Sequence, residues 1–314
     1  MCGGWHLGSS MRLPLARSRL PKEDRPTVMK IDGETQIVAV IGDPISHTLS
    51  PAMHNAAFEA VGLNWVYIAC HVLPEHVGGA VAAVRALGWR GMNVTVPHKQ
   101  AVMPFLDELS PAARAVGAVN TIIHDQGWLV GDNTDVVGII RAVSDGAGVR
   151  EWPEHVVILG AGGAARGVVY ALTTVEAVRR VTILNRTPER AESLAKEFGG
   201  GKTRIEGLPL AAEHARRALG DAGLLVNVTS LGRGELAERS PIADEWKCLA
   251  PGLLCVDSNY SPPETRLMRQ VRAAGGRAFN GLDMLVYQGA RSFELWTGLP
   301  APVEVMRRAT GLVS

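Results

Sequence analysis

The chain is poor in cysteine, and its cysteines are not arranged for work. Cys2, Cys70, Cys248 and Cys255 lie far apart along 314 residues with no CxxC pair. That spacing argues against a zinc knuckle and against a disulfide framework. Nine histidines show no HExxH-like pattern, so neither a structural nor a catalytic metal is expected. Charge of one sign is also missing. Lys and Arg total 32 against 31 Asp and Glu, a net charge of +1. No basic surplus points to nucleic acid or to an anionic membrane. No apolar run approaches the roughly 20 residues that a bilayer requires. A reduced, cytoplasmic setting fits these absences.

The first 30 or so residues lack a period of any kind. "MCGGWHLGSSMRLPLARSRLPKEDRPTVMK" mixes Gly, Ser, Pro and Arg, without the continuous apolar stretch of a signal peptide. Residues 1–34 are expected to be a flexible extension, with Met29 a second candidate start.

What is present is a regular alternation of strands and helices. A hydrophobic content of 46% is enough for two domains with separate cores. "QIVAVIG" (36–42) reads as a buried strand. Ser50 is a candidate N-cap, with Pro51 at the first turn of a helix through about Leu63. "NWVYIACHV" and "GMNVTV" read as strands flanking a helix over 74–88. "AVNTIIHDQGWLVGDNTD" reads as two short strands joined around Asp125-Gln126-Gly127, and a helix over 136–148 follows. From His155 a second series begins, with strands at "HVVIL", "RVTILN", "GLLVNVTS" and "LLCVDSNY", helices between them, and two closing helices. Such alternation implies βαβ units and mostly parallel sheets.

Gly160-Ala161-Gly162-Gly163-Ala164-Ala165 has the form G-x-G-x-x-A. It follows one strand directly and opens a helix. In that context the glycines permit a tight turn, and the helix N-terminus suits a pyrophosphate. The next strand ends in Asn185-Arg186-Thr187, with Arg190 close behind, and has no Asp or Glu at its tip. An acid there would read a ribose 2′-hydroxyl, whereas a guanidinium pair suits a 2′-phosphate. NADP is therefore the expected cofactor.

An electron carrier needs a partner to reduce. The first half places Thr48, Ser50, Asn93, Thr95, Lys99, Asn120, Asp132, Asn133 and Asp135 at strand ends and turns, where α/β sheets bind ligands. Lys99 stands just past the apolar strand in "NVTVPHK". A lysine and an aspartate converging on a hydroxyl would form the proton-transfer pair that hydride removal from an alcohol requires. His98 is read as a loop residue, and Arg233 in "TSLGRGE" as a loop charge near the cofactor crevice.

Taken in order, "GDPISHTLSPAMHNAAF", "NVTVPHK", "AVNT", "GDNTD", "GAGGAAR", "NRTPERAESLA" and "GLDMLVYQGA" resemble the shikimate dehydrogenase family over about residues 36–312. The resemblance implies NADPH-dependent reversible reduction of 3-dehydroshikimate, with Lys99 and Asp135 as the catalytic pair. It implies that Asn120, Asp135, Lys99, Thr95 and Gln288 contact the ring. It places the substrate carboxylate on Thr48, Ser50 and Tyr260. The cofactor set becomes Gly160, Ala161, Gly162, Gly163, Ala164, Asn185, Arg186, Thr187 and Arg190, with Thr229 and Gly281. Many family members carry Ser where Thr48 stands, so a quinate/shikimate dehydrogenase of broader specificity stays open. So does a non-catalytic relative that senses NADP or a ring acid, although binding alone needs no proton-transfer pair.

The expected architecture is α/β with two domains. A substrate domain takes residues 35–134 and 281–314, because Gln288 must return to it. A Rossmann-like NADP domain takes 135–280. The expected partner is a small molecule, not a nucleic acid or a membrane, and the assembly is a monomer or homodimer.

Overall fold

A computed structural model describes residues 31–312 of the chain. The extension expected over residues 1–34 lies outside the described residues except for its end. The strands are β1 (Gln36–Gly42), β2 (Trp65–His71), β3 (Gly91–Val94), β4 (Glu108–Leu109), β5 (Thr121–Asp125), β6 (Trp128–Asp132), β7 (His155–Leu159), β8 (Arg180–Asn185), β9 (Arg204–Pro209), β10 (Leu224–Asn227), β11 (Leu254–Asp257) and β12 (Arg277–Phe279). The α-helices are α1 (Ser50–Ala60), α2 (Val77–Ala86), α3 (Pro111–Val116), α4 (Asp135–Arg141), α5 (Gly163–Thr174), α6 (Pro188–Phe198), α7 (Ala212–Leu219), α8 (Arg266–Ala273), α9 (Leu282–Thr297) and α10 (Val303–Ala309). Two six-stranded sheets result, in the orders β2-β1-β3-β5-β6-β4 and β12-β11-β10-β7-β8-β9.

The second sheet is parallel throughout. All five residues of β7 are buried, as an apolar strand covered by helices on both faces should be. From β7 the chain runs outward through β8 and β9, then crosses to β10, β11 and β12 on the other side. Ligands of such sheets bind at the reversal point. Here that point is the crevice past the ends of β7 and β10.

The first sheet is mostly parallel, with antiparallel pairs brought in by one hairpin. β1 pairs in parallel with β2 and β3, and β4 with β6. The hairpin β5–β6 introduces antiparallel pairs with β3 and within itself. Its turn uses Gln126 at φ 46° and Gly127 at φ 92°, the left-handed conformations of a two-residue hairpin. This arrangement decides where the polar residues meet. The ends of β1, β3 and β6 and the start of β5 all lie at one edge of the sheet. Thr48, Lys99, Asp135 and Asn120 follow or precede those ends.

Helix α9 packs on this first sheet. Its Leu282, Val286, Ala290, Phe293 and Trp296 share a core with Val38 and Val40 of β1 and Met53, Ala57 and Phe58 of α1. Trp296 Nε1 donates to the Ile122 carbonyl at 3.0 Å. The ring fits because Gly91 has no side chain: a Cβ there would lie 2.3 Å from Trp296 Nε1.

Several local expectations need correction. Ser50 is the first residue of α1, not its N-cap; Leu49 occupies that position with no side-chain cap. The Ser50 hydroxyl is engaged elsewhere, accepting from Thr48 Oγ1 at 3.1 Å. Strand β3 stops at Val94, two residues early, because the chain turns at Thr95 toward Pro97. The helix expected over 136–148 is α4 followed by a π-helical turn, Ala142–Gly146. No helix among the described residues is long and apolar enough to cross a membrane.

Candidate functional site

Lys99 Nζ donates to Asp135 Oδ2 at 2.6 Å, and the two side chains retain only 17% and 12% exposure. The loop that carries Lys99 is fixed on both sides. His98 is buried, and its Nε2 lies 2.7 Å from the Val72 carbonyl, while the Lys99 carbonyl accepts from Val119 N at 2.8 Å. His98 thus anchors the loop rather than reaching the site. Asp135 opens α4, where a carboxylate suits the helix dipole.

Asn120 reaches the other carboxylate oxygen. Its Nδ2 lies 2.9 Å from Asp135 Oδ1 and 3.4 Å from Gln288 Oε1. Its Oδ1 accepts from the Thr134 backbone N–H at 2.7 Å. That N–H can only donate, so the amide cannot be flipped. Gln288 arrives from α9, which crosses α4 closely at Gly138: a Cβ there would lie 2.9 Å from Gln288 Cβ. Lys99, Asp135, Asn120 and Gln288, spread over 190 positions of sequence, therefore form one cluster.

Two of the expected carboxylate contacts, Thr48 and Ser50, lie at the same sheet edge, past the end of β1. Thr48 Oγ1 accepts from Ser50 N at 3.2 Å as well as donating to Ser50 Oγ. Tyr260 lies against the core shared by β1, α1 and α9. Burial pushes its phenol up, while the charge of Arg233 pulls it the other way. Thr95 N donates to the Ile41 carbonyl at 2.9 Å, and its side chain is half-buried; no side-chain contact brings it to the lysine pair.

The glycine turn sits at the second sheet's reversal point. Gly160 has φ +107°, and a Cβ there would lie 3.2 Å from Thr229 Cγ2. Only glycine adopts that conformation without strain. Gly162 is the N-cap of α5. A Cβ on Gly162 or on Gly163 would meet no protein atom within 4 Å. The backbone N–H groups at this helix start are thus open to a pyrophosphate. Asn185 Nδ2 bonds the Thr187 carbonyl at 2.9 Å. Arg186 and Arg190 are exposed and make no ion pair among the described residues, which leaves both guanidiniums available for a phosphate. Thr229 Oγ1 donates to Asn227 Oδ1 at 2.8 Å. Gly281 serves close packing: a Cβ there would lie 2.1 Å from the Ser258 carbonyl oxygen. These residues fit a phosphorylated dinucleotide. No group of three or more His, Cys, Asp or Glu suited to a metal ion occurs among the described residues.

The two halves touch where they should. Gly167, one turn into α5, faces Asp135: a Cβ there would lie 3.6 Å from Asp135 Cβ. The helix that begins at the dinucleotide turn therefore packs against the residue that pairs with Lys99. Sequence reading missed the layer beneath, made of Tyr67, Thr121, Thr134 and Ser292, all buried. "GDNTD" contained Thr134 and "AVNT" contained Thr121, but Tyr67 and Ser292 carry no local signal.

Fold and site together define a two-sheet, dinucleotide-dependent oxidoreductase with a lysine–aspartate pair at its cleft. Comparison with known proteins narrows this class. Residues 40–122 match the family described as shikimate dehydrogenase substrate binding domain. Residues 150–223 match shikimate / quinate 5-dehydrogenase, and residues 281–310 match the shikimate 5'-dehydrogenase C-terminal domain. A shikimate dehydrogenase (NADP(+)) of Moorella thermoacetica is 44% identical over 290 residues, covering 90% of this chain and 94% of that one. The Thermus thermophilus shikimate 5-dehydrogenase, solved with NADP(H) and shikimate, is 40% identical with a TM-score of 0.78, covering 88% and 98%. A quinate dehydrogenase of Corynebacterium glutamicum, solved with NAD, is 31% identical with a TM-score of 0.79, covering 88% and 98%. The chain belongs to the shikimate dehydrogenase family.

Proposed function

We propose that this chain interconverts 3-dehydroshikimate and shikimate with NADP(H), and that Lys99 and Asp135 move the proton. The observation that carries the assignment is the Lys99–Asp135 pair at 2.6 Å, at the sheet edge that also presents Asn120 and Gln288. The dinucleotide, held at Gly160, Gly162 and Gly163 with its 2′-phosphate on Arg186 and Arg190, would supply the hydride. Lys99 Nζ gives its proton to the alkoxide that forms at the ring carbonyl and stabilises the negative charge as it develops. Asp135 keeps the ammonium in place, and Asn120 fixes the far oxygen of that carboxylate. Asn120, Asp135 and Gln288 hold the ring hydroxyls; Thr48, Ser50 and Tyr260 hold the carboxylate. The wider expectations of a substrate domain over 35–134 and 281–314, and of a cytoplasmic monomer or homodimer, belong with this reading.

A second reading, oxidation of quinate, is favoured by Thr48 and by the quinate dehydrogenase among the structural relatives. The threonine keeps the hydroxyl, adds a methyl and stiffens χ1, a change that would tune the choice between the two ring acids. The two free arginines favour NADP over NAD in either case.

The test is reduction of NADP⁺ and NAD⁺ with shikimate or quinate, for wild type and Lys99→Ala. The expected result is NADP-linked shikimate turnover. In the variant, kcat should fall by about 10²-fold or more with KM little changed. Preference for quinate with NAD⁺ would reverse both the substrate and the cofactor assignment. Cofactor binding without any turnover would leave a sensing protein in place of an enzyme.

A further inference from the structure

Beneath the site lies a cluster of buried hydroxyls and amides that no ring hydroxyl or cofactor phosphate touches in the reading above. Thr121, Thr134 and Ser292 are each fully buried. Their hydroxyl oxygens form a triangle: Thr121 to Ser292 at 2.8 Å, Thr134 to Ser292 at 3.2 Å, Thr121 to Thr134 at 3.2 Å. Asn93 Nδ2 donates into it, 3.0 Å from Thr121 Oγ1 and 3.1 Å from Ser292 Oγ, and also reaches the Asn120 carbonyl at 3.0 Å. Tyr67 OH donates to Asn93 Oδ1 at 2.7 Å.

Two of these groups have a fixed direction. A flipped Asn93 amide would put oxygen against the Asn120 carbonyl, so its Nδ2 must face the triangle. Ser292 donates to the Gln288 carbonyl one turn earlier in α9, at 3.1 Å. Thr121 and Thr134 both lie within donating distance of Asn120 Oδ1, at 3.1 and 3.2 Å. The triangle therefore reaches the Asn120 side-chain amide from Thr121 and Thr134, the Gln288 side chain from Thr134 Oγ1 at 3.5 Å, and the α9 backbone at Gln288 from Ser292.

A path of hydrogen bonds between buried or half-buried groups thus runs from Tyr67 through Asn93 to the triangle, then through Asn120 to Asp135 and Lys99.

We propose that Thr121 and Ser292 are positioning residues for ring-acid recognition: the Thr121 hydroxyl holds the Asn120 amide, and the Ser292 hydroxyl ties to Thr121 the turn of α9 that carries Gln288, so that both amides keep the orientation that reads the ring hydroxyls. Neither touches the substrate in this scheme. They act because a buried amide with its partners fixed cannot rotate to a competing arrangement, whereas one with a missing partner can. Ser292 has a second part in this, since it is a polar tie between α9 and the first sheet, and α9 carries Gln288. The proposal rests on the ring-acid reading above.

Thr121→Val, Thr121→Ser and Ser292→Ala test it, with KM for shikimate, KM for NADP⁺, kcat and Tm measured for each. Valine keeps the shape of threonine and removes the hydroxyl; serine keeps the hydroxyl. Ser292→Ala removes one oxygen from a helix that tolerates alanine well. The expected result is a rise of about tenfold in KM for shikimate in Thr121→Val and Ser292→Ala, as for one hydrogen bond's worth of orientation. KM for NADP⁺ should stay within about twofold, and Thr121→Ser should resemble wild type. In the double variant the two effects should be less than multiplicative, since both remove the same contact. A merely structural role would lower Tm in all three variants and leave KM for shikimate unchanged, which overturns the proposal. Should Thr121→Val fail to fold, Ser292→Ala alone decides between these outcomes. A wild type that binds NADP⁺ but turns over no ring acid overturns the ring-acid reading and this inference together; wild-type turnover with unchanged KM in the variants overturns this inference only.

Discussion

His54 is the residue whose burial has the plainest consequence. It is fully buried and stacks on Tyr67 with ring centroids 4.4 Å apart and planes 2° from parallel. Neither ring nitrogen has a hydrogen-bond partner. Burial alone pushes its pKa down from 6.5 to about 3. The sign follows from linkage. Between pH 6.5 and about 3 the unfolded chain binds a proton at His54 that the folded chain refuses, so stability falls as pH falls through that window. Urea unfolding between pH 7 and 5 should show this in the wild type. His54→Leu should make the dependence shallower by up to one proton, about 1.4 kcal/mol per pH unit at most. Equal slopes would mean that His54 finds a proton partner in the folded state. His155, also pushed down by burial, contributes equally to both proteins and cancels from the comparison. At this same scale the sequence misled about Ser50. A serine before Pro51 carries the pattern of a cap, but the Thr48 hydroxyl is within reach and takes it. Competition between two local hydrogen bonds is decided by backbone angles that the pattern does not encode.

At the scale of elements, the β7–α5 unit separates fold from function. Gly160 is needed by the backbone itself, with φ +107° and Thr229 beside it. Gly162 is different: its backbone is compatible with a side chain, and a methyl there would touch no protein atom. Gly162→Ala should therefore leave Tm unchanged within about 1 °C, since surface changes without strain cost little. It should raise KM for NADP⁺ several-fold, because the methyl stands where the pyrophosphate approaches the helix start. A loss of Tm with unaltered KM would place the cofactor elsewhere. The unit was legible because an apolar strand, a glycine turn and a helix are contiguous. The edge strand β9 was not. "RIEGLP" is partly exposed along its length and contains Gly and Pro, so it lacks the apolar run that marks β7. β4 and β12, two and three residues long, are too short to show a period. They become strands because a neighbouring strand is already in place to pair with.

At the scale of the molecule, Arg166 links elements of both sheets. It stands in α5, and its Nε donates to the Val116 carbonyl at the end of α3, at 2.6 Å. Its Nη1 donates to Glu197 Oε2 of α6 at 2.7 Å, and its guanidinium lies 5.6 Å from the Phe198 ring centroid. Gly117 makes room for it: a Cβ there would lie 2.9 Å from Arg166 Nη2. Arg166→Ala should cost about 1–2 kcal/mol in urea unfolding. Most of that comes from the Val116 carbonyl and the lost packing, because Glu197 is 44% exposed and exposed pairs are screened. The Glu197 carboxyl is held below its ordinary value by Arg166. Its small share of stability is thus present at neutral pH and fades as pH falls through the folded value, so the difference between wild type and variant should narrow in acid. A difference that is constant with pH would assign the whole effect to the carbonyl and the ring.

The amino-acid sequence by itself determined the class of fold, the glycine turn and the candidate proton-transfer pair. Each is written in neighbouring residues: apolar strands with period and length, G-x-G-x-x-A between strand and helix, Lys99 just past a strand end. The chain order of the motifs was enough to name the family. Tertiary structure alone decided how these pieces meet. Thr121 and Ser292 are 171 positions apart, yet their oxygens lie 2.8 Å from each other. Asn120 and Gln288 are 168 apart and lie within 3.4 Å. Such contacts depend on α9 returning to the first sheet, with Trp296 seated over Gly91 and Gly138 admitting Gln288. That docking is a property of shapes fitting across the whole chain, and no local pattern carries it.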